Sequence, residues 1–125
     1  MKRIFIVAAV ALFASSAGAQ PVDVTLSEWK VLMSRDTVKA GSVTFRVTNN
    51  GTMSHTLYVI GNGIDQGTRD IVRRAVTTLT VTLKPGTYEV FCPMAENTHK
   101  MAGMTTMLVV TAADPAPAKK KPDTR

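Results

Sequence analysis

Apolar and polar positions alternate through most of the middle of the chain. Val22-Asp23-Val24-Thr25-Leu26 sends every second side chain to one face, as a half-buried strand does. Trp29, Val31 and Met33 alternate too, on the opposite parity from Val24 and Leu26, so a bulge or bend is expected near Ser27. Residues 36–41 read as a connection. Val43, Phe45 and Val47 then share one face, and Asn49-Asn50-Gly51 signals a turn. His55 to Ile60 reads as the next strand, closed by Gly61-Asn62-Gly63. Ile64 to Ala75 follows no single period and is compatible with a short helix or an irregular excursion. Thr77 to Leu83 is β-branched and alternating, a clear strand. Lys84-Pro85-Gly86 turns the chain, proline presetting φ and glycine supplying a positive one, as a type II turn requires. Thr87–Cys92 and Thr105–Thr111 supply the last two strands. About seven short strands separated by turns predict an all-β, antiparallel sandwich or barrel.

The two ends differ from this middle. Lys2 and Arg3, an apolar run from Ile4 to Phe13 and the small residues Ala17-Gly18-Ala19 have the layout of a secretory signal peptide over residues 1–19. The apolar run is shorter than the roughly 20 residues a membrane span needs. The expected mature protein is therefore periplasmic or otherwise exported, without a membrane span, and begins at Gln20. Its folded domain is expected over residues 20–112, with one hydrophobic core. From residue 113 to 125 proline, alanine and lysine dominate, and a disordered, solvated basic tail is expected. The net charge is +6 over 125 residues, much of it from the two ends. No interleaving of basic and aromatic residues of the kind that binds nucleic acid is present.

The candidate chemistry sits between the last two strands. The stretch from Phe91 to Met104 holds the only cysteine, one of the two histidines and three of the seven methionines. One cysteine excludes an intrachain disulfide, although the expected compartment is oxidising. A free thiol there needs an occupant, and a metal is one. Tyr88, Val90 and Cys92 share one parity, so a core-facing Tyr88 and Val90 turn the Cys92 sulfur inward. His99 and Met104 follow on the returning loop, and the remaining histidine, His55, stands just after the Asn-Asn-Gly turn. Thiolate, imidazole and thioether are soft ligands that suit copper better than magnesium or calcium, which take oxygen. Each residue also has a plain alternative: a small core cysteine, a satisfied edge histidine, a core methionine.

On these residues the chain resembles the cupredoxins, the plastocyanin- and azurin-like small blue copper proteins. The resemblance runs from about Val22 to Thr111. It rests on Asn49-Asn50-Gly51 leading to His55, on Leu83, Pro85, Gly86, Tyr88 and Cys92, and on Cys92, His99 and Ala102-Gly103-Met104. It implies an antiparallel Greek-key sandwich and a mononuclear type 1 copper ion. His55, Cys92 and His99 would be its equatorial ligands and Met104 its axial one, with Met101 the rival for that last role. Two features depart from the family pattern. Six residues separate Cys92 from His99 where members mostly have two to four, and Thr56 stands where many have an asparagine that braces the ligand loop.

The resemblance implies a one-electron carrier, a monomer that docks transiently with redox protein partners. The remaining methionines, Met53, Met94, Met101 and Met107, are divided between an apolar rim around His99 and gap-filling core. The alternative function is a periplasmic copper carrier or chaperone that delivers or buffers the metal with the same ligands. An enzyme is not expected, because nothing resembles a nucleophile–base pair.

Overall fold

The computed structural model describes residues 20–115. The signal-peptide reading of residues 1–19 and most of the tail, residues 116–125, lie outside the described residues. Nine strands and one short helix follow in the order β1 (Gln20–Ser27), β2 (Lys30–Met33), β3 (Thr37–Lys39), β4 (Gly41–Asn49), β5 (Tyr58–Gly61), β6 (Ile64–Gly67), β7 (Val76–Leu83), β8 (Gly86–Phe91), α1 (Thr98–Met101) and β9 (Thr105–Thr111). They form two layers. One sheet has the order β2-β1-β4-β7, the other β3-β9-β8-β5-β6.

Alternation places the core between the layers. Val22, Val24 and Leu26 of β1 and Val43, Phe45 and Val47 of β4 are buried from one sheet. Val59, Tyr88, Val90, Leu108 and Val110 are buried from the other. The expected strands at Val43–Val47, Thr77–Leu83, Thr87–Cys92 and Thr105–Thr111 are present, the third ending at Phe91. A tyrosine ties β7 to β8: the Tyr88 hydroxyl donates to the Lys84 carbonyl at 2.8 Å and accepts the Lys84 N–H at 3.1 Å.

Several expectations need correction. The sandwich is mixed rather than wholly antiparallel, because β1 pairs parallel with β4 and β3 parallel with β9. The cause is β3, which crosses to the other sheet before β4 returns beside β1. Residues 37–39 are therefore a strand, with Val38 buried, and not only a connection. The parity switch after Ser27 is a tight hairpin rather than a bulge: Ser27 faces Lys30 and Leu26 faces Val31, with Glu28 and Trp29 at the tip. Ile64–Ala75 contains no helix. It opens with β6 and continues as a loop whose Ile71 bridges to His55.

The strand expected from His55 starts regular pairing only at Tyr58. The Thr56 N–H points to the Cys92 sulfur and the Leu57 N–H to the Thr68 hydroxyl, so neither joins a backbone ladder. Near the far terminus, Lys39 forms an ion pair with Asp114.

Candidate metal centre

At one end of the sandwich, three connections converge. The first links β4 to β5 and delivers His55. Asn49, fully buried at the end of β4, shapes it. Its side-chain carbonyl accepts the Gly51 N–H at 2.8 Å, and its amide group donates to the carbonyls of Met53 at 2.9 Å and Ile71 at 2.7 Å. The His55 backbone exchanges hydrogen bonds with Ile71, at 3.1 and 2.8 Å. The buried Asn49 side chain thereby has all three of these hydrogen bonds to the backbone of the turn and its neighbour.

The second connection, β8 to β9, carries Cys92, His99 and Met104. Cys92 continues the inward parity of Tyr88 and Val90 and is fully buried. Its N–H donates to the Met104 carbonyl at 3.0 Å, closing the loop. The six intervening residues include a run of three, Ala95, Glu96 and Asn97, with φ of 53°, 55° and 68°. This left-handed run leads directly into α1, which presents His99 inward. Gly103 then passes the third connection. It has a φ of 131°, and a Cβ there would lie 2.7 Å from the Trp29 carbonyl oxygen.

That third connection is the β1–β2 hairpin tip, Glu28 and Trp29. The Trp29 ring meets His99 edge-on, with centroids 4.9 Å apart. Glu28 Oε1 accepts the N–H groups of Thr52 at 2.7 Å and Met53 at 3.1 Å, and lies 3.1 Å from His55 Nε2.

The result is a compact donor cluster. His55 Nδ1 and His99 Nδ1 are 3.2 Å apart, and Cys92 Sγ is 3.8 Å from His99 Nδ1. All three residues are buried, and their donor atoms lie within 4.8 Å of one another. The sulfur faces two contacts from Thr56, the N–H at 3.4 Å and the hydroxyl at 3.7 Å. Thr56 thus brings its backbone and hydroxyl to the sulfur itself. Met104 is fully buried in the core beside Cys92, whereas Met101 is 84% exposed.

Burial lowers the His99 pKa, the neighbouring His55 lowers it further, and the Glu28 carboxylate opposes both. His99 is held in its neutral, lone-pair-bearing form. Partial burial pushes the Glu28 pKa up. The N–H groups of Glu28, Met53 and Thr52 and the His55 ring outweigh it and bring the carboxyl down to about 2. Glu28 is therefore an anion at neutral pH.

The structure brings His55, Cys92 and His99 together, as their sequence pattern anticipates. Sequence reasoning missed Glu28 and Trp29. A glutamate and a tryptophan at a hairpin tip have no period or motif that ties them to a histidine 27 residues away.

A family model described as "Cupredoxin-like domain" matches residues 2–116. No curated protein matches significantly. Among solved structures, dithionite-reduced auracyanin from Roseiflexus castenholzii superposes with a TM-score of 0.62 at 19% identity, over 75% of this chain and 99% of its own. Auracyanin A from Chloroflexus aurantiacus, described as a "blue" copper protein, gives 0.58 at 20% identity over 73% and 99%. The multicopper oxidase mgLAC gives 0.60 at 21% identity over 78% of this chain and 40% of its own. At these identities the likeness is one of fold.

Proposed function

The chain belongs to the cupredoxin-like family, and on that premise we propose that it is an exported type 1 copper protein that carries single electrons. The observation that carries this reading is the set of three buried soft donors, His55, Cys92 and His99, within 4.8 Å of one another. Donors about 2.0–2.3 Å from a shared first-row ion lie about 3.5–4 Å apart when they surround it in a plane. The 3.8 Å between Cys92 Sγ and His99 Nδ1 falls in that range, and the 3.2 Å between the two Nδ1 atoms lies slightly inside it. Two imidazoles and one thiolate also match copper's preferences, and the fully buried Met104 would supply the thioether that completes the set.

Bound copper would supply a one-electron couple between Cu(II) and Cu(I) at this site. The protein's share of the work is geometric. Strands β4, β8 and β9 fix the ends of both ligand connections, and the hydrogen bonds of Asn49, Thr56 and Met104 brace them. A scaffold held this firmly changes little when the charge at its centre changes. His55 is wholly enclosed, while His99 retains 7% exposure and is the outermost of the three. His99 is thus the group closest to a docking partner. Trp29, Met53 and Met101 expose apolar surface on the segments that carry Glu28, His55 and His99, a rim suited to brief docking by a redox protein.

The first test is addition of Cu(II) to the purified domain. An intense visible thiolate-to-copper absorption that a mild reductant bleaches reversibly is expected, and Cys92→Ser should abolish it. A Cys92→Ser protein that keeps the colour would remove the cysteine from the site. Export is checked by the N-terminus of the secreted protein, expected at Gln20.

One observation favours a second reading, a copper carrier or buffer. The thioethers of Met53 and Met101 are exposed, at 41% and 84%, and such groups take Cu(I) readily. A protein that accepts only Cu(I) and passes it to an acceptor, without the visible band, would replace the electron-carrier reading with this one.

A further inference from the structure

We propose that Glu28 is a positioning residue for this metal site. Its carboxylate holds His55 in the tautomer that turns a free Nδ1 lone pair toward Cys92 and His99, and its negative charge favours the more highly charged state of the bound ion. The inference rests on the copper-site reading above and extends it to a residue outside the donor set.

The tautomer follows from hydrogen-bond chemistry. An ionised carboxylate only accepts, so the contact of 3.1 Å between Glu28 Oε1 and His55 Nε2 requires the proton on Nε2. In a neutral imidazole Nδ1 then carries the lone pair, and Nδ1 is the atom that faces His99 Nδ1 at 3.2 Å. A histidine ligand oriented through its other ring nitrogen by a carboxylate is also made more basic.

The position is built rather than incidental. Three donors converge on the same carboxylate oxygen, the N–H groups of Thr52 and Met53 besides the His55 ring. The backbone at Gly51 comes so close that a Cβ there would lie 2.5 Å from Glu28 Oε1 and 2.8 Å from His55 Nε2. Glycine is the residue that leaves room for the pair. The His55 side chain between carboxylate and donor cluster is fully buried, and Glu28 itself is only 23% exposed. Among the described residues, no lysine or arginine forms an ion pair with Glu28. Its charge is therefore felt at the cluster through the fully buried His55 ring. A neighbouring anion stabilises Cu(II) more than Cu(I), because the interaction scales with the charge on the ion.

The test uses Glu28→Gln, which keeps an oxygen acceptor for the three donors and removes only the charge. The variant is expected to keep the visible band and to lose about tenfold in its preference for Cu(II) over Cu(I), a rise of about 59 mV in reduction potential. A potential equal to that of the unaltered protein would overturn the charge effect. The second measurement needs no variant and no metal. Nitrogen chemical shifts of His55 in the metal-free protein should report a protonated Nε2 and a lone pair on Nδ1. A proton found on Nδ1 would overturn the tautomer assignment, even if Glu28→Gln failed to fold. An unaltered protein that takes up no copper would instead sink the electron-carrier reading, and the His55 shifts would still decide the tautomer.

Discussion

Met101 and Met104 stand three residues apart and meet opposite environments. Met101 projects from α1 with 84% of its surface exposed, while Met104 is fully buried beside Cys92. The turn from Ala102 to Gly103 separates them, and its tight passage beside Trp29 leaves room for no side chain at Gly103. On the proposed reading Met104 belongs to the centre and Met101 does not. Met101→Ala is expected to leave both the visible spectrum and the reduction potential of the copper-loaded protein unchanged. Met104→Leu should shift both, since an axial thioether supplied by Met104 would tune the potential. Its stability cost should stay under about 1.5 kcal/mol, because the swap conserves volume. Voltammetry together with urea unfolding separates the two effects. An altered potential in Met101→Ala would exchange the roles.

At the scale of elements, the connection from Cys92 to His99 has a backbone of its own kind. The left-handed run Ala95-Glu96-Asn97 makes it fold back on itself. Asn97 donates to the Pro93 carbonyl at 2.9 Å and Thr98 to that of Ala95 at 3.0 Å. The connection is thus a compact knuckle that delivers His99 to the cluster. A left-handed residue with a Cβ costs about 1–2 kcal/mol, and glycine does not incur it. Glu96→Gly is therefore expected to leave stability unchanged or raise it by up to about 1 kcal/mol, where glycine at an ordinary position would lower it. Chemical denaturation of the metal-free protein measures this. A clear loss would mean that the Glu96 side chain holds the knuckle in some other way. Beyond the knuckle, Lys100 packs over the Phe91 ring at 4.6 Å and pairs with Glu89, fastening α1 to β8.

At the scale of the whole molecule, the site joins the two layers. Glu28 and Trp29 come from the hairpin of one sheet, and Cys92, His99 and Met104 from a connection of the other. A ligand that bridges these connections should stabilise the fold as a unit. Copper at 100 times its dissociation constant is expected to add about 2.7 kcal/mol to unfolding, by mass action on the native state. Calorimetry with and without a chelator checks the figure. Cys92→Ser should remove most of the gain, and a gain that persists in that variant would place copper elsewhere on the protein.

The local pattern was enough to reveal the sandwich and its inward faces. Alternation at Val22–Leu26, Val43–Val47 and Tyr88–Cys92 depends only on the period of a strand and on which side chains avoid water. Cysteine and histidine are so scarce here that Cys92, His55 and His99 stood out as candidates, whereas Met104 as a fourth ligand was implied only by the resemblance to the cupredoxins. Three things required the folded chain. The parallel pairing of β1 with β4 depends on β3 crossing between sheets, and three residues of weak alternation do not announce that. The late start of β5 depends on a sulfur 36 residues away taking the Thr56 N–H. The bond from Glu28 to His55 joins a hairpin tip to a loop 27 residues distant. Periodicity records which face a residue shows to its own strand. Which distant group meets that face is settled only when the layers close, and a side-chain hydrogen bond across them leaves no period behind.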